Sequence, residues 1–350
     1  MSTNSCKKRR VIYYLMQPHR IGQLVTEIWC LRNRFDDDDY EFVVITPAPD
    51  ERVNKACYDF VLRGMRVIQK DVNDVRWSTT DGIKEIDGDL YVFRGAYDCQ
   101  LDHSRKFLTR KPTFYYSLED GDLRRAHKLY DLFGIPSDAK VVTLHNREQG
   151  YLKHADTHGK HDYRNAEIEN YVPSIEYLVR KGYYVVRLGD KTMKPLPSIS
   201  DQVIDAPFHP FYSPYVDLYF TALSRFLVSV PSGPGSIAVG FDVPMLWINA
   251  PVQMYCWGNE RDILVPKNYY SHILERRLSY VEIATSPLIT FFDSKEFNRF
   301  GVELQENTAD EILGAVKEMD ARLDGEYASC AVSDDIDSKV KDVQRRGHYY

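Results

Sequence analysis

Residues 140–190 constrain the fold more than any other stretch of the chain. Lys140-Val-Val-Thr-Leu reads as a short buried strand and leads directly into His145-Asn-Arg147-Glu148. A polar, histidine-rich loop covers 149–163, and a helix is predicted over 166–181. A second strand follows, Tyr183-Tyr-Val-Val-Arg187-Leu-Gly189-Asp190. Strand, helix and strand in succession make a β-α-β unit with parallel strands. Open α/β sheets bind ligands just beyond the carboxyl ends of their strands, and both strands here end in cationic, hydrogen-bonding residues. Arg147, Arg164 and Arg187 are therefore expected to converge on one anion, against the plainer alternative of surface ion pairs.

Elsewhere the same alternation recurs. Strands are predicted at 11–16, 42–46, 65–69, 90–93 and 113–115, with helices at 24–34 (Leu24, Ile28 and Leu31 on one face), 51–63, 104–108 and 119–133. The last would turn Leu123, Leu129 and Leu132 inward, and 71–86 reads as an irregular polar loop. In the second half, strands are predicted at 202–204, 226–229, 245–248 and 288–291, and helices at 214–223, 236–241 and 308–323. The proline-rich connection 195–210, with Phe208 to Tyr212 beyond it, is of a length that often covers a site. The class is α/β. With 350 residues there is material for two domains, expected at 1–136 and 137–330 with the break at Gly134-Ile-Pro136, and a charged tail at 331–350.

The net charge of -6 argues against broad nucleic-acid binding, though not against a local basic pocket. The six cysteines (Cys6, Cys30, Cys57, Cys99, Cys256 and Cys330) show neither CxxC pairing nor metal-ligand spacing, which suits a reducing compartment. The apolar run 11–16 is too short for a signal peptide or a membrane span, so a cytoplasmic protein is expected. Asp36 to Asp39 reads as a solvated loop. His154, His158 and His161, with Asp156 and Asp162, raise the question of a metal; Gly159 and the polar setting point instead to a loop that orders over a ligand.

A second informative stretch is Val228-Ser229-Val230-Pro231-Ser232-Gly233-Pro234-Gly235-Ser236, between an apolar strand and an apolar helix. Glycine allows close backbone approach, serine offers hydroxyls, and a helix N-terminus carries positive partial charge. The loop has no GxxxxGK[ST] spacing, so it is a phosphate-receiving loop without a lysine. Near the N-terminus, Gln17-Pro-His19-Arg20-Ile-Gly22-Gln23 forms a glycine-containing loop ahead of a helix, serving either as a turn or as a site loop.

Together these residues resemble the bacterial glycosyltransferases grouped around an HxRE motif and, more remotely, the fucosyltransferase-like branch of the GT-B fold. The resemblance lies in His145-Asn-Arg147-Glu148, Tyr163-Arg164-Asn165, Asn170-Tyr171-Val-Pro173, Gly182-Tyr-Tyr-Val-Val-Arg187-Leu-Gly189-Asp190, Pro231-Ser-Gly233-Pro-Gly235 and the first loop with His19, Arg20 and Gly22. It implies two Rossmann-like domains with a cleft between them, a nucleotide-sugar donor on the C-terminal domain, and a glycan or lipid-linked acceptor met mainly by the N-terminal one. A lipid-linked acceptor would bring peripheral membrane contact. It further implies that Arg147 meets the donor's diphosphate, helped by His145, Arg164, Arg187, Gly189 and the Ser232–Ser236 loop, with no metal or other cofactor. Glu27, Glu148 and Asp190 are the candidate bases; Glu148 alternatively pairs with an arginine, and Asp190 alternatively binds a ribose hydroxyl or caps the next segment. The rivals are a nucleotide-sugar 2-epimerase and a non-catalytic nucleotide- or carbohydrate-binding protein.

Overall fold

Strands buried on both faces need cover on both sides, which parallel pairing with helical crossovers provides. Every residue of Val141–His145, Leu227–Ser229 and Met245–Ala250 is buried. The computed structural model describes residues 8–35, 37–70, 82–93, 112–148, 159–252 and 261–326. The chain divides into two units, Met1–Ser117 and Leu118–Tyr350. His154, Asp156, His158, Asp36, the helix predicted at 104–108 and the tail at 331–350 lie outside the described residues.

In the first unit β1 (Arg9–Tyr14), α1 (Ile21–Arg34), β2 (Tyr40–Thr46), α2 (Lys55–Val61) and β3 (Arg66–Gln69) alternate, and the hairpin β4 (Gly82–Ile86) and β5 (Asp89–Phe93) completes a sheet ordered β3-β2-β1-β5-β4. All its pairings are parallel except β4 with β5. The strand β4 replaces the end of the polar loop expected at 71–86, whose residues 71–81 lie outside the described residues. Asp87 and Gly88, both at positive φ (52° and 82°), form the two-residue turn that joins it to β5. Residues 113–115, expected as a strand, are irregular: the Thr113 and Phe114 N–H groups donate to Asn33 Oδ1 at 3.0 Å, so side chains take the place of a ladder.

The second unit begins with α3 (Asp120–Leu132), whose buried residues are Asp122, Ala126, Leu129 and Tyr130; Leu132 is turned outward instead. Then come β6 (Val141–His145), α4 (Val172–Arg180), β7 (Tyr184–Arg187), β8 (Val203–Asp205), α5 (Tyr215–Leu223), β9 (Leu227–Ser229), α6 (Gly233–Gly240), β10 (Met245–Ala250) and β11 (Ile263–Pro266). The six strands are parallel, in the order β11-β10-β9-β6-β7-β8. The chain starts in the middle, builds outward through β7 and β8, then returns to build the other half. This is the doubly wound order, and its switch point lies between β6 and β9. Ile175 and Leu178 of α4 pack with Ile312, Val316 and Met319 of the final helix into the cluster over this sheet; truncating one such side chain to alanine typically costs about 2–5 kcal/mol.

The helix predicted at 166–181 is shorter than expected, because Pro173 fits a helix start and not its interior; two 3-10 turns, Asp162–Arg164 and Ile168–Tyr171, precede it. A small antiparallel sheet follows the large one: β12 (Asn268–Ser271), β13 (Arg276–Arg277) and β14 (Val302–Gln305), with α7 (Tyr280–Ala284) and α8 (Ser294–Arg299) between them. The strand expected at 288–291 is a 3-10 turn, Pro287–Thr290, opened by Ser286 accepting from Leu288 N–H. The last helix, α9 (Ala309–Leu323), is opened by a Thr308/Glu311 capping box.

Candidate functional site at the carboxyl edge of the second sheet

His145 ends β6 and Ser232 stands at the N-cap of α6, directly after β9. Their side chains meet across the switch point, with Nε2 of His145 3.1 Å from Ser232 Oγ. His145 Nδ1 lies 3.2 Å from the Leu188 carbonyl, which only accepts, so Nδ1 carries the proton. Burial pushes the imidazole down to about 4, so it is neutral at physiological pH and its Nε2 accepts from the serine hydroxyl. Ser232 therefore makes no side-chain cap to its own helix. The orphan donors expected at a helix start, with their positive partial charge, are left to the Gly233 end of α6. Pro234 has no N–H to offer, and Gly235 N–H bonds back to Ser232 O at 3.1 Å. Gly235 serves packing: a Cβ there would meet Met245 Cε at 2.9 Å.

Two of the three predicted arginines come to this edge. Arg147 is 7% exposed, and its Nη1 donates to the His161 carbonyl at 2.8 Å and to Asn165 Oδ1 at 2.7 Å. Arg164 reaches the Pro231 carbonyl at 3.4 Å, one residue before Ser232. Arg187 does not join them. It is fully buried and spent on the fold, donating to Glu148 Oε1 at 2.8 Å, the Lys194 carbonyl at 2.6 Å, Asn146 Oδ1 at 3.3 Å and Asp205 Oδ1 at 3.3 Å. The structure thus sets Arg187 apart from the other two arginines of the expected group.

Glu148 is engaged at both oxygens. Oε1 also accepts from Asn146 at 2.9 Å, and Oε2 takes the Lys194 N–H at 2.6 Å. Asp190 caps the turn that follows, accepting from Thr192 N–H at 2.8 Å. Gly189 has φ of 147°, and any side chain there would strike Met193. Its carbonyl accepts from Tyr212 at 2.9 Å, which fastens the aromatic loop after β8 to this edge. Beside the β6 loop a pocket of about 470 Å³ is lined by Glu148, Asp162, Asn165, Glu167 and Lys194; its acids disfavour an anion and suit hydroxyl groups.

In the first unit, Arg20 caps α1 without a side-chain bond, Gly22 lies in the first turn, and His19 is half-buried, its pKa lowered by burial and then by Arg52 and Arg20. Glu27, one turn on, is 4% exposed and accepts from Tyr13 at 2.8 Å; burial raises it to about 8.

Known proteins match only at the level of architecture. No family model matches the chain. No curated protein matches it. Among solved structures, a family 9 glycosyl transferase from Veillonella parvula aligns at 12% identity over 89% of this chain and 97% of its own, with a TM-score of 0.46. The iron-containing dodecameric glycosyltransferase TibC from enterotoxigenic E. coli aligns at 10% identity over 91% and 78%, TM-score 0.44. The E. coli ADP-heptose lipopolysaccharide heptosyltransferase II aligns at 12% over 73% and 90%, TM-score 0.39. Likenesses this faint carry no activity across.

Sequence reasoning missed Lys267, and it placed Asn165 and Tyr212 in informative stretches without giving either a role. Lys267 directly follows the apolar run Ile263-Leu-Val-Pro266, the same strand-end position that singled out Arg147. Among the described residues no group of three His, Cys, Asp or Glu is placed to hold a metal, and no helix is long and apolar enough to cross a membrane.

Proposed function

We propose that the protein is a glycosyltransferase that takes a sugar from a nucleotide-sugar donor and passes it to a glycan or lipid-linked acceptor. The observation that carries this is the His145–Ser232 contact across the switch point, at 3.1 Å, where doubly wound sheets receive nucleotides. Arg147 and Arg164 stand on the same edge, and the HxRE-type resemblance of the sequence points the same way. In the reaction the anomeric carbon–oxygen bond to the diphosphate breaks, and an acceptor oxygen takes the carbon after losing its proton to a base. The diphosphate leaves with the bonding electrons, and its growing charge is met by Arg147, Arg164 and the N-terminus of α6. These groups serve without a metal.

Glu148 holds Arg187 in this scheme, its Oε1 shared between Arg187 and Asn146 and its Oε2 accepting from Lys194 N–H. Glu27 and Asp190 are the other carboxylates proposed for the base; burial raises the Glu27 carboxyl to about 8, so it keeps its proton at neutral pH. The test is turnover with a panel of radiolabelled nucleotide-sugars and a mixed glycan and lipid-linked acceptor preparation. The reading predicts label on an acceptor with release of nucleoside diphosphate. An isomerised donor without transfer would point to an epimerase, and binding without turnover to a non-catalytic protein.

A further inference from the structure

The loop 206–214, between β8 and α5, reads Ala-Pro-Phe-His-Pro-Phe-Tyr-Ser-Pro and holds no carboxylate, lysine or arginine. Its polar aromatics are turned inward. The His209 ring stacks on Phe133 with 4.0 Å between centroids, and the Tyr212 hydroxyl donates to the Gly189 carbonyl at 2.9 Å. Its phenylalanines are turned outward: Phe208 is 39% exposed and Phe211 51%, with Pro210 and Pro214 exposed beside them. This reverses the usual sorting, in which phenyl rings are buried and rings with a polar handle reach water. The backbone fixes the arrangement. Ala206–Phe208 is a 3-10 turn, His209 N–H donates to the Ala206 carbonyl at 3.1 Å, and Tyr212 N–H donates to the His209 carbonyl at 3.0 Å. Phe211 N–H reaches His209 Nδ1 at 3.4 Å, and Pro207, Pro210 and Pro214 have no N–H at all. A loop so poor in free donors enters an interfacial medium at little cost in lost hydrogen bonds.

A cationic stripe borders this loop. The helix α3 runs beside it, from Phe133 against His209 back to Arg125, whose guanidinium lies 5.6 Å from the centre of the Tyr215 ring. Arg124, Lys128 and Leu132 follow at i, i+4 and i+8, so they share one face of α3; all three are exposed, Leu132 by 46%. Among the described residues no carboxylate forms an ion pair with Arg124 or Lys128. At 3.6 residues per turn Asp120 and Asp131, the exposed acids of α3, fall on the side away from Tyr215. A glycan would need hydrogen-bonding groups beside the rings, and those are turned inward. A stable contact with a second protein takes about 800 Å² from each partner, far more than two rings and a leucine present. Apolar rings beside acid-free cations match an anionic lipid surface, where apolar side chains enter between headgroups and Lys or Arg meet phosphates.

We propose that the 206–214 loop, with Leu132 and the cations Arg124 and Lys128, docks this protein on a membrane containing anionic lipids, Phe208 and Phe211 entering the headgroup layer. The docking does not rest on the glycosyltransferase reading. Where that reading holds, the Tyr212–Gly189 bond ties the lipid-facing loop to the carboxyl edge of the second sheet.

The experiment is vesicle flotation of the full chain with phosphatidylcholine alone and with phosphatidylcholine mixed with phosphatidylglycerol. Wild type is compared with Phe208→Ser/Phe211→Ser and with Arg124→Gln/Lys128→Gln. The wild type should float with the mixed vesicles and much less with phosphatidylcholine alone. The phenylalanine variant should partition at least about tenfold more weakly, a factor that burial of one such ring supports. The charge variant should lose about fivefold per cation and most of the salt dependence. Unfolding midpoints should stay close to wild type, because the replaced side chains are exposed. A wild type that floats with neither vesicle, or equally with both, overturns the proposal, and so does flotation that both variants retain in full. A dimer abolished in the phenylalanine variant, seen by sedimentation without lipid binding, assigns the face to a second copy and overturns it as well. Should the phenylalanine variant not fold, Phe211→Trp decides: its emission, relative to wild type, should shift to the blue with mixed vesicles, and an unshifted spectrum overturns the proposal. Nucleotide takes no part in these arms, so this proposal and the transferase reading fail separately.

Discussion

The hydroxyl of Ser232 is held 3.1 Å from Nε2 of His145, and through it the loops that leave β9 and β6 are joined across the reversal point of the second sheet. The bond requires a neutral imidazole, because a protonated His145 would donate from both nitrogens and could not accept from the serine.

Acid should therefore undo this junction before it undoes the rest. His145 is held near 4 in the fold against 6.5 when unfolded, so the unfolded chain binds more protons between those values. Stability present above pH 6.5 is lost as pH falls toward 4, by on the order of a few kcal/mol from this group. Chemical denaturation of wild type and His145→Gln at a series of pH values measures it. The variant should lose less stability over that window, and equal slopes would show that His145 is not the titrating group.

Ser232→Ala removes the hydroxyl that donates to His145 Nε2 and leaves that acceptor unpaired in a buried site. It should cost about 1–3 kcal/mol of stability and weaken nucleotide binding about tenfold by freeing the loop. Unfolding midpoints and titrations on the same preparation separate the two effects; unchanged affinity would remove Ser232 from the site.

Arg187 presents the reverse case. Removing it strands Glu148 and Asp205, whose side chains are only 19% and 17% exposed. Arg187→Met should destabilise by about 3–5 kcal/mol, the usual cost of breaking a buried pair from one side. A shift of under about 1 kcal/mol in urea titration would mean that the network is not the girder described above.

Glu27 makes an alkaline prediction. Its carboxyl is raised from 4.5 to about 8, so the folded state holds a proton that the unfolded state has lost between those values. Stability from this group is complete below 4.5 and declines as pH rises to about 8. Glu27→Gln should abolish that decline and gain on the order of a few kcal/mol at pH 8 relative to wild type. Denaturation profiles from pH 5 to about 9 are the check; parallel profiles would contradict the raised value.

The parallel strands were legible because apolar runs such as Val141-Val-Thr-Leu144 have no other stable environment than a covered sheet, and the strand-end rule then located His145 and Arg147. What sequence could not settle was the spending of each charge. Arg147 and Arg187 sit in equivalent strand-end contexts, but the partners that consume Arg187 come from 39 and 18 residues away in the chain. Lys267 was hidden for the same reason: nothing local shows that it donates to a carbonyl 102 residues back. The small sheet was missed because β13 has two residues and β14 alternates without an apolar run. The turn Asp87-Gly88 was a readable hairpin signal and marks β4 in hindsight.

The central claim is that a nucleotide's phosphates lie on the carboxyl edge of the second sheet beside Arg147. Thermal shift with ADP, GDP, UDP, dTDP and CMP on wild type and Arg147→Ala tests it most directly. One nucleotide at a hundredfold its dissociation constant should stabilise the wild type by about 2.7 kcal/mol, and Arg147→Ala, folded by circular dichroism, should lose most of that response. Equal stabilisation of both proteins, or none of the wild type by any nucleotide or nucleotide-sugar, would contradict it.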